Sequence, residues 1–217
     1  MDSSDSQNHG RFPRYKWSYD IVFCIDVSAS MRDHLDRVKQ FVVEFKDDFM
    51  DALREVGKDW VDIRTKVITF RDDNIDTEKD VTPFHTMPDQ EEEFRAFVNG
   101  LNIQGGYSES RSAYEALIEA FKSDWVKGTE PAPCFCRWIT VLFTDAPAYP
   151  EKLADLFDSW NGLEYNVKRL LIFAPEHPSW EDFTQQATLT IYLPSKAGDG
   201  LEENDKKDIM AALAENI

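Results

Sequence analysis

Cysteine is scarce in this chain. Three residues among 217 are too few, and odd in number, for a disulfide framework. Cys24 sits in an apolar run, and Cys134 and Cys136 are one residue apart, so reduced thiols are the expectation. No stretch approaches eighteen consecutive apolar residues, which excludes a transmembrane helix. The N-terminus, Met1-Asp2-Ser3-Ser4-Asp5-Ser6, lacks the basic and apolar regions of a signal peptide, which predicts a cytoplasmic chain. Positive charge is the minority: 24 Lys and Arg face 41 Asp and Glu, a net charge of −17. Such a surface repels phosphate backbones and anionic membranes, so sequence-independent nucleic-acid binding and membrane docking are disfavoured. Also missing are Gly-x-x-x-x-Gly-Lys-Ser/Thr, Gly-x-Gly-x-x-Gly, Gly-x-Ser-x-Gly and His-Glu-x-x-His. Nucleotide hydrolysis and dehydrogenation lose their usual handles.

What is present is enough apolar residue to build a core: 42% of the chain, with 13% aromatic. Residues 1–16 are polar and aperiodic and read as a loose arm, with residues 17–217 as one domain. Asp20-Ile21-Val22-Phe23-Cys24-Ile25 is a short continuous apolar run, the pattern of a strand buried on both faces. From Asp33 to Val56, apolar residues recur at 35, 38, 41, 42, 45, 49 and 53, an amphipathic helix that Gly57 is placed to end. Further strands are expected at 61–70, 137–144, 168–174 and 189–193, with a short edge strand within 81–87, where Pro83 is tolerated. Helices are expected at 89–101, 112–126, 150–160, 179–187 and 201–217. This alternation predicts an α/β fold: a doubly wound, mostly parallel six-stranded sheet with helices on both faces, the short edge strand being the candidate for an antiparallel neighbour.

In such sheets ligands bind beyond the carboxyl ends of the strands. The loops there carry oxygen. Asp26-Val27-Ser28-Ala29-Ser30 follows the first strand, and Asp145 follows the strand ending at Phe143-Thr144. Ser108 lies in Gly105-Gly106-Tyr107-Ser108-Glu109-Ser110, ahead of a helix. Oxygen-only ligands suit hard divalent cations. Neutral hydroxyls as direct ligands, with carboxylates acting through water, would leave the cation much of its charge and one position for a carboxylate from another molecule. Capping of the following helix is the plainer account of Asp26, Ser28 and Ser30, but it leaves Ser108 and Asp145 without a role.

These residues resemble the von Willebrand factor type A domain and its metal-ion-dependent adhesion site: Asp-x-Ser-x-Ser intact as Asp26-Val27-Ser28-Ala29-Ser30, Ser108 at the place of a threonine, and Phe143-Thr144-Asp145-Ala146-Pro147 as the third element. The resemblance covers residues 18–217 and implies a Rossmann-like fold. It implies Ser28, Ser30 and Ser108 as direct ligands of Mg²⁺ or Mn²⁺, with Asp26 and Asp145 acting mainly through water, in a binding module without turnover that captures an acidic residue of a partner protein. Thr-Asp-Ala-Pro after the strand is similar to bacterial stand-alone members such as the tellurium-resistance TerY-like proteins. That likeness implies a stress-response or defence complex with a kinase, phosphatase or MoxR-type ATPase.

Arg32, His34, Tyr107 and Tyr149 flank these loops and are candidates for a partner-binding rim. Cys134 and Cys136 would supply only half of a zinc site, since His9, His34, His85 and His177 are scattered and no second cysteine pair exists. Two alternatives stand beside the binding module. One is a metal-dependent hydrolase with Asp26 or Asp145 as base; the other is a scaffold with a relic metal loop.

Overall fold

The computed structural model describes residues 16–58, 61–72, 79–105, 109–128 and 134–215. The strands are β1 (Lys16–Asp26), β2 (Val61–Phe70), β3 (His85–Met87), β4 (Cys134–Phe143), β5 (Lys168–Ala174) and β6 (Thr190–Pro194). The helices are α1 (Leu35–Glu55), α2 (Glu91–Gly100), α3 (Ala113–Phe121), α4 (Leu153–Asn161), α5 (Pro178–Thr184) and α6 (Glu203–Glu215). Single 3₁₀ turns at Ala29–Asp33 and Pro150–Lys152 precede α1 and α4.

One sheet runs in the order β3-β2-β1-β4-β5-β6. All its neighbours are parallel except β3, which pairs antiparallel with β2 through Ile63–Met87, Arg64–Thr86 and Thr65–His85. The expected six-stranded, doubly wound sheet is therefore what forms. Its edge strand is only three residues long, and Val81 contributes an isolated bridge to Ile68 instead of extending it. α3 stops at Phe121, short of the expected 126, because the chain turns there and Trp125 packs from the loop onto Trp138, ring centroids 5.6 Å apart.

The period of two in β1 divides the core. Tyr19, Ile21, Phe23 and Ile25 pack with α1, α2 and α6, while Val22 and Cys24 pack with α3, α4 and α5. The first layer is rich in aromatics. Phe143 and Phe173 stack at 4.9 Å, and Phe41 meets each edge-on at 5.4 Å.

β1 starts earlier than its apolar run, at Lys16, so the arm expected over 1–16 lies outside the described residues except for this one. The strand crosses a buried charge at Asp20. Arg64 on β2 answers that charge with two hydrogen bonds, Nε to Oδ1 at 2.8 Å and Nη2 to Oδ2 at 2.6 Å, and lies over the Phe84 ring at 4.5 Å. The Val126 N–H also donates to Asp20. Among the described residues no helix is long and apolar enough to cross a membrane.

Candidate functional site

Strand order reverses between β1 and β4: the chain steps from β1 to β2 on one side and later returns to β4 on the other. The crevice beyond their carboxyl ends is where an open α/β sheet takes a ligand. Backbone hydrogen bonds stitch three loops together there. After β1, Val27 N–H donates to Phe70 O at 3.0 Å, while Val27 O accepts from Gln104 N–H at 2.8 Å. Ala29 N–H donates to Gly105 O at 2.8 Å. Gly105 reaches this position with φ +51°, in the left-handed region that glycine tolerates. The lead-in to α3 is tied to the loop after β4 by Arg111 N–H to Pro147 O at 2.9 Å and by a bridge of Arg111 with Ala148.

The side chains inside this stitching form a cup. At its base lies Asp26, fully buried. Its Oδ1 accepts from Ser28 N–H at 2.9 Å and its Oδ2 from Thr144 Oγ1 at 2.7 Å. Ser28 is also fully buried, whereas Ser30 is exposed at the mouth and Asp145 is half-buried. The Ser28 and Ser30 hydroxyl oxygens are 3.2 Å apart, and Ser30 Oγ donates to Asp145 Oδ1 at 2.8 Å. Four of the five expected ligands thus meet. The fifth, Ser108, lies outside the described residues, as does Tyr107. Ser28 caps the 3₁₀ turn without a side-chain hydrogen bond, and His34 caps α1 without one either. The capping account of Asp26, Ser28 and Ser30 therefore fails: their side-chain oxygens turn to this loop and to Thr144 and Asp145 just after β4, with no side-chain bond capping the 3₁₀ turn or α1.

Arg111, which the motif reading missed, completes the cup. The residue is 3% exposed. Its Nη2 donates to Ser30 Oγ at 3.0 Å, and its Nε stands 3.9 Å from Asp26 Oδ2. Burial pushes the Asp26 carboxyl up to about 6, against the hydrogen bonds of Ser28 and Thr144 and the charge of Arg111, which hold it down. Thr144 was also missed as a functional residue; its hydroxyl carries Asp26 and accepts from Ala146 N–H at 3.2 Å. An arginine within the glycine loop, just ahead of a predicted helix, was the available signal for the first. A hydroxyl beside the β4 aspartate was the signal for the second.

The donors suit a hard cation. They are carboxylate and hydroxyl oxygens, and among the described residues no three or more His, Cys, Asp or Glu are grouped to hold a metal ion. Cys136 is buried on β4, and the Cys134 side chain lies outside what is described. Of the rim candidates, Arg32 is exposed on the 3₁₀ turn after the loop, and His34 is half-buried where α1 begins. Tyr149 is half-buried ahead of the 3₁₀ turn after β4.

The model of the von Willebrand factor type A domain matches residues 21–146, more than half of the chain. No curated protein matches. Solved structures share the fold at low identity. A von Willebrand factor type A protein from Catenulispora acidiphila is similar with a TM-score of 0.56 and 15% identity, over 92% of this chain and 43% of its own. The proximal thread matrix protein 1 of the mussel byssus, in a form with a zinc-occupied MIDAS motif, gives 0.54 and 12%, over 94% and 48%. The pilus adhesin SpaC of Lactobacillus rhamnosus GG, in an open conformation, gives 0.55 and 10%, over 94% and 30%. The chain thus spans less than half the length of each.

Proposed function

Because this chain belongs to the von Willebrand factor type A family, we propose that it is a metal-dependent protein-binding module. Asp26, Ser28, Ser30, Asp145 and Ser108 hold Mg²⁺ or Mn²⁺ at the mouth of the β1/β4 crevice. The observation that carries this reading is the hydrogen bond between Ser30 and Asp145, 115 residues apart, which brings two oxygen-rich loops into one cradle. The cation, when bound, supplies an electrophilic position for an incoming carboxylate. The chain's own residues do the rest. Buried Asp26 anchors the loop through Ser28 N–H and Thr144. Ser28 and Ser30 present uncharged oxygen, which neutralises little of a cation's charge. Arg32, His34, Tyr107 and Tyr149 form the rim that meets the partner. The shared fold with a pilus adhesin and with a byssus matrix protein whose MIDAS motif holds zinc supports the direction of this reading.

The reading is of binding without turnover. A hydrolase would need a base at the same site, Asp26 or Asp145, and Asp26 is turned inward on Thr144 and Ser28. The similarity to TerY-like members extends the proposal to a kinase, phosphatase or MoxR-type ATPase as the partner, in a bacterial stress-response or defence complex. Titrating such purified partners onto the chain with and without chelator tests it. Binding should be lost with chelator and with Asp145→Ala. Equal binding of wild type and Asp145→Ala under both conditions would overturn the metal-dependent reading.

A further inference from the structure

The cradle already contains a cation of the chain's own. Ser30 has one hydroxyl hydrogen and two lone pairs. Its hydrogen is given to Asp145, one lone pair accepts from Arg111 Nη2, and Ser28 Oγ at 3.2 Å contends for the other. Arg111 is 3% exposed, and its Nε stands 3.9 Å from Oδ2 of the fully buried Asp26. A guanidinium is always charged and shares its donors through a rigid planar fork. While it sits there, the guanidinium occupies one of the Ser30 lone pairs, and a second positive centre beside it meets repulsion from the buried charge.

We propose that Arg111 gates this site: its guanidinium and a divalent cation compete for Ser30 Oγ and for the charge of Asp26, so that metal enters only as the Arg111 side chain withdraws. The proposal rests on the metal-binding reading above and specifies its regulation. The module alternates between an arginine-filled state and a metal-filled state, and only the second offers an electrophilic position to an acidic partner. The ligand that drives the exchange is a hard divalent cation. Ser30 lies at the mouth and Asp26 at the base, so the guanidinium bridges the depth of the cup through which the exchange takes place.

The affinity follows from populations. Apparent affinity is reduced by the fraction of molecules in the competent state, so a withdrawn state populated at about one part in ten costs about tenfold in apparent Kd. Arg111→Met keeps much of the side-chain volume and removes the charge. Calorimetric titration with Mg²⁺ and with Mn²⁺ on the full chain should show binding about tenfold tighter or more in Arg111→Met than in wild type. In the variant, melting temperature should also become more dependent on added Mg²⁺, because Asp26 then keeps its hydrogen bonds from Ser28 and Thr144 but has lost the charge of Arg111.

Unchanged or weaker metal binding in a folded Arg111→Met protein, alongside clear binding in wild type, would overturn the gate and leave the metal site standing. No binding of either metal at millimolar concentration by either protein would overturn both. If the variant fails to fold, the wild type carries the test. The Nε–H resonance of Arg111, assigned by comparison with Arg111→Lys, should shift as Mg²⁺ is titrated and follow the calorimetric isotherm. A resonance unmoved while calorimetry records saturation would refute competition.

Discussion

Thr144→Val tests how the base of the site is held. The substitution is nearly isosteric, so packing around the fully buried side chain survives while one hydroxyl is lost. Two consequences follow from the geometry. Asp26 Oδ2 loses its 2.7 Å donor, and Ala146 N–H loses its 3.2 Å acceptor. A hydrogen bond to a charged group contributes about 1.5–3 kcal/mol, and the orphaned carboxylate oxygen cannot turn to water because Asp26 has no exposure. The Ala146 contact is long and adds less. A destabilisation of about 2–3 kcal/mol follows, or roughly 4–12 °C in Tm for a domain of this size. Urea unfolding followed by tryptophan fluorescence measures it. Metal affinity should fall less steeply than stability, since Thr144 positions Asp26 and is not itself a proposed ligand. A loss below about 0.5 kcal/mol would show that Asp26 does not depend on Thr144, and the base of the cup would need another account.

Away from the site, Asp20→Ala should cost about 3 kcal/mol, at the low end for a broken buried pair, because Arg64 retains a 30% exposed path to water while Val126 N–H loses its carboxylate acceptor. A chemical-denaturation midpoint within error of wild type would contradict this. The α1–α2 junction should be acid-sensitive. Glu91 is held below its ordinary range first by its hydrogen bond from Lys46 and then by Arg95, so the folded chain binds its proton more weakly than the unfolded chain. That contribution is present above the unfolded carboxylate value and is lost as pH falls through the lower folded one. The stability gap between wild type and Lys46→Met should therefore shrink between about pH 5 and about pH 3, from about 1 kcal/mol for this part-buried pair. A gap that stays constant across that range would remove the ion pair from the explanation.

The parts of this molecule legible in the sequence are those encoded by local periodicity. The apolar run ending at Asp26 announces a strand buried on both faces, and the residues that follow it sit where an open sheet takes ligands. Four of the expected site residues do converge. What the sequence concealed depends on contacts across long separations. Asp20 looks like a strand boundary until Arg64, 44 residues away, neutralises it in the interior and lets β1 run back to Lys16. Arg111 looks like one more charge before a helix. Only the pairing of its backbone with Pro147 and Ala148 swings the guanidinium onto Ser30, 81 residues earlier. One helix start differs for a local reason: the helix expected from residue 150 begins at Leu153, because Pro150–Lys152 forms a 3₁₀ turn with the composition of a first helical turn.

The central claim, that loops from distant parts of the chain form one cradle for a divalent cation, is tested most directly by anomalous diffraction from crystals of the wild-type protein grown in saturating Mn²⁺. A manganese peak within coordinating reach of the hydroxyl oxygens of Ser28 and Ser30 and beside Asp145 is the result expected. Manganese bound only at other carboxylates, with the Ser30–Asp145 hydrogen bond intact, would contradict it.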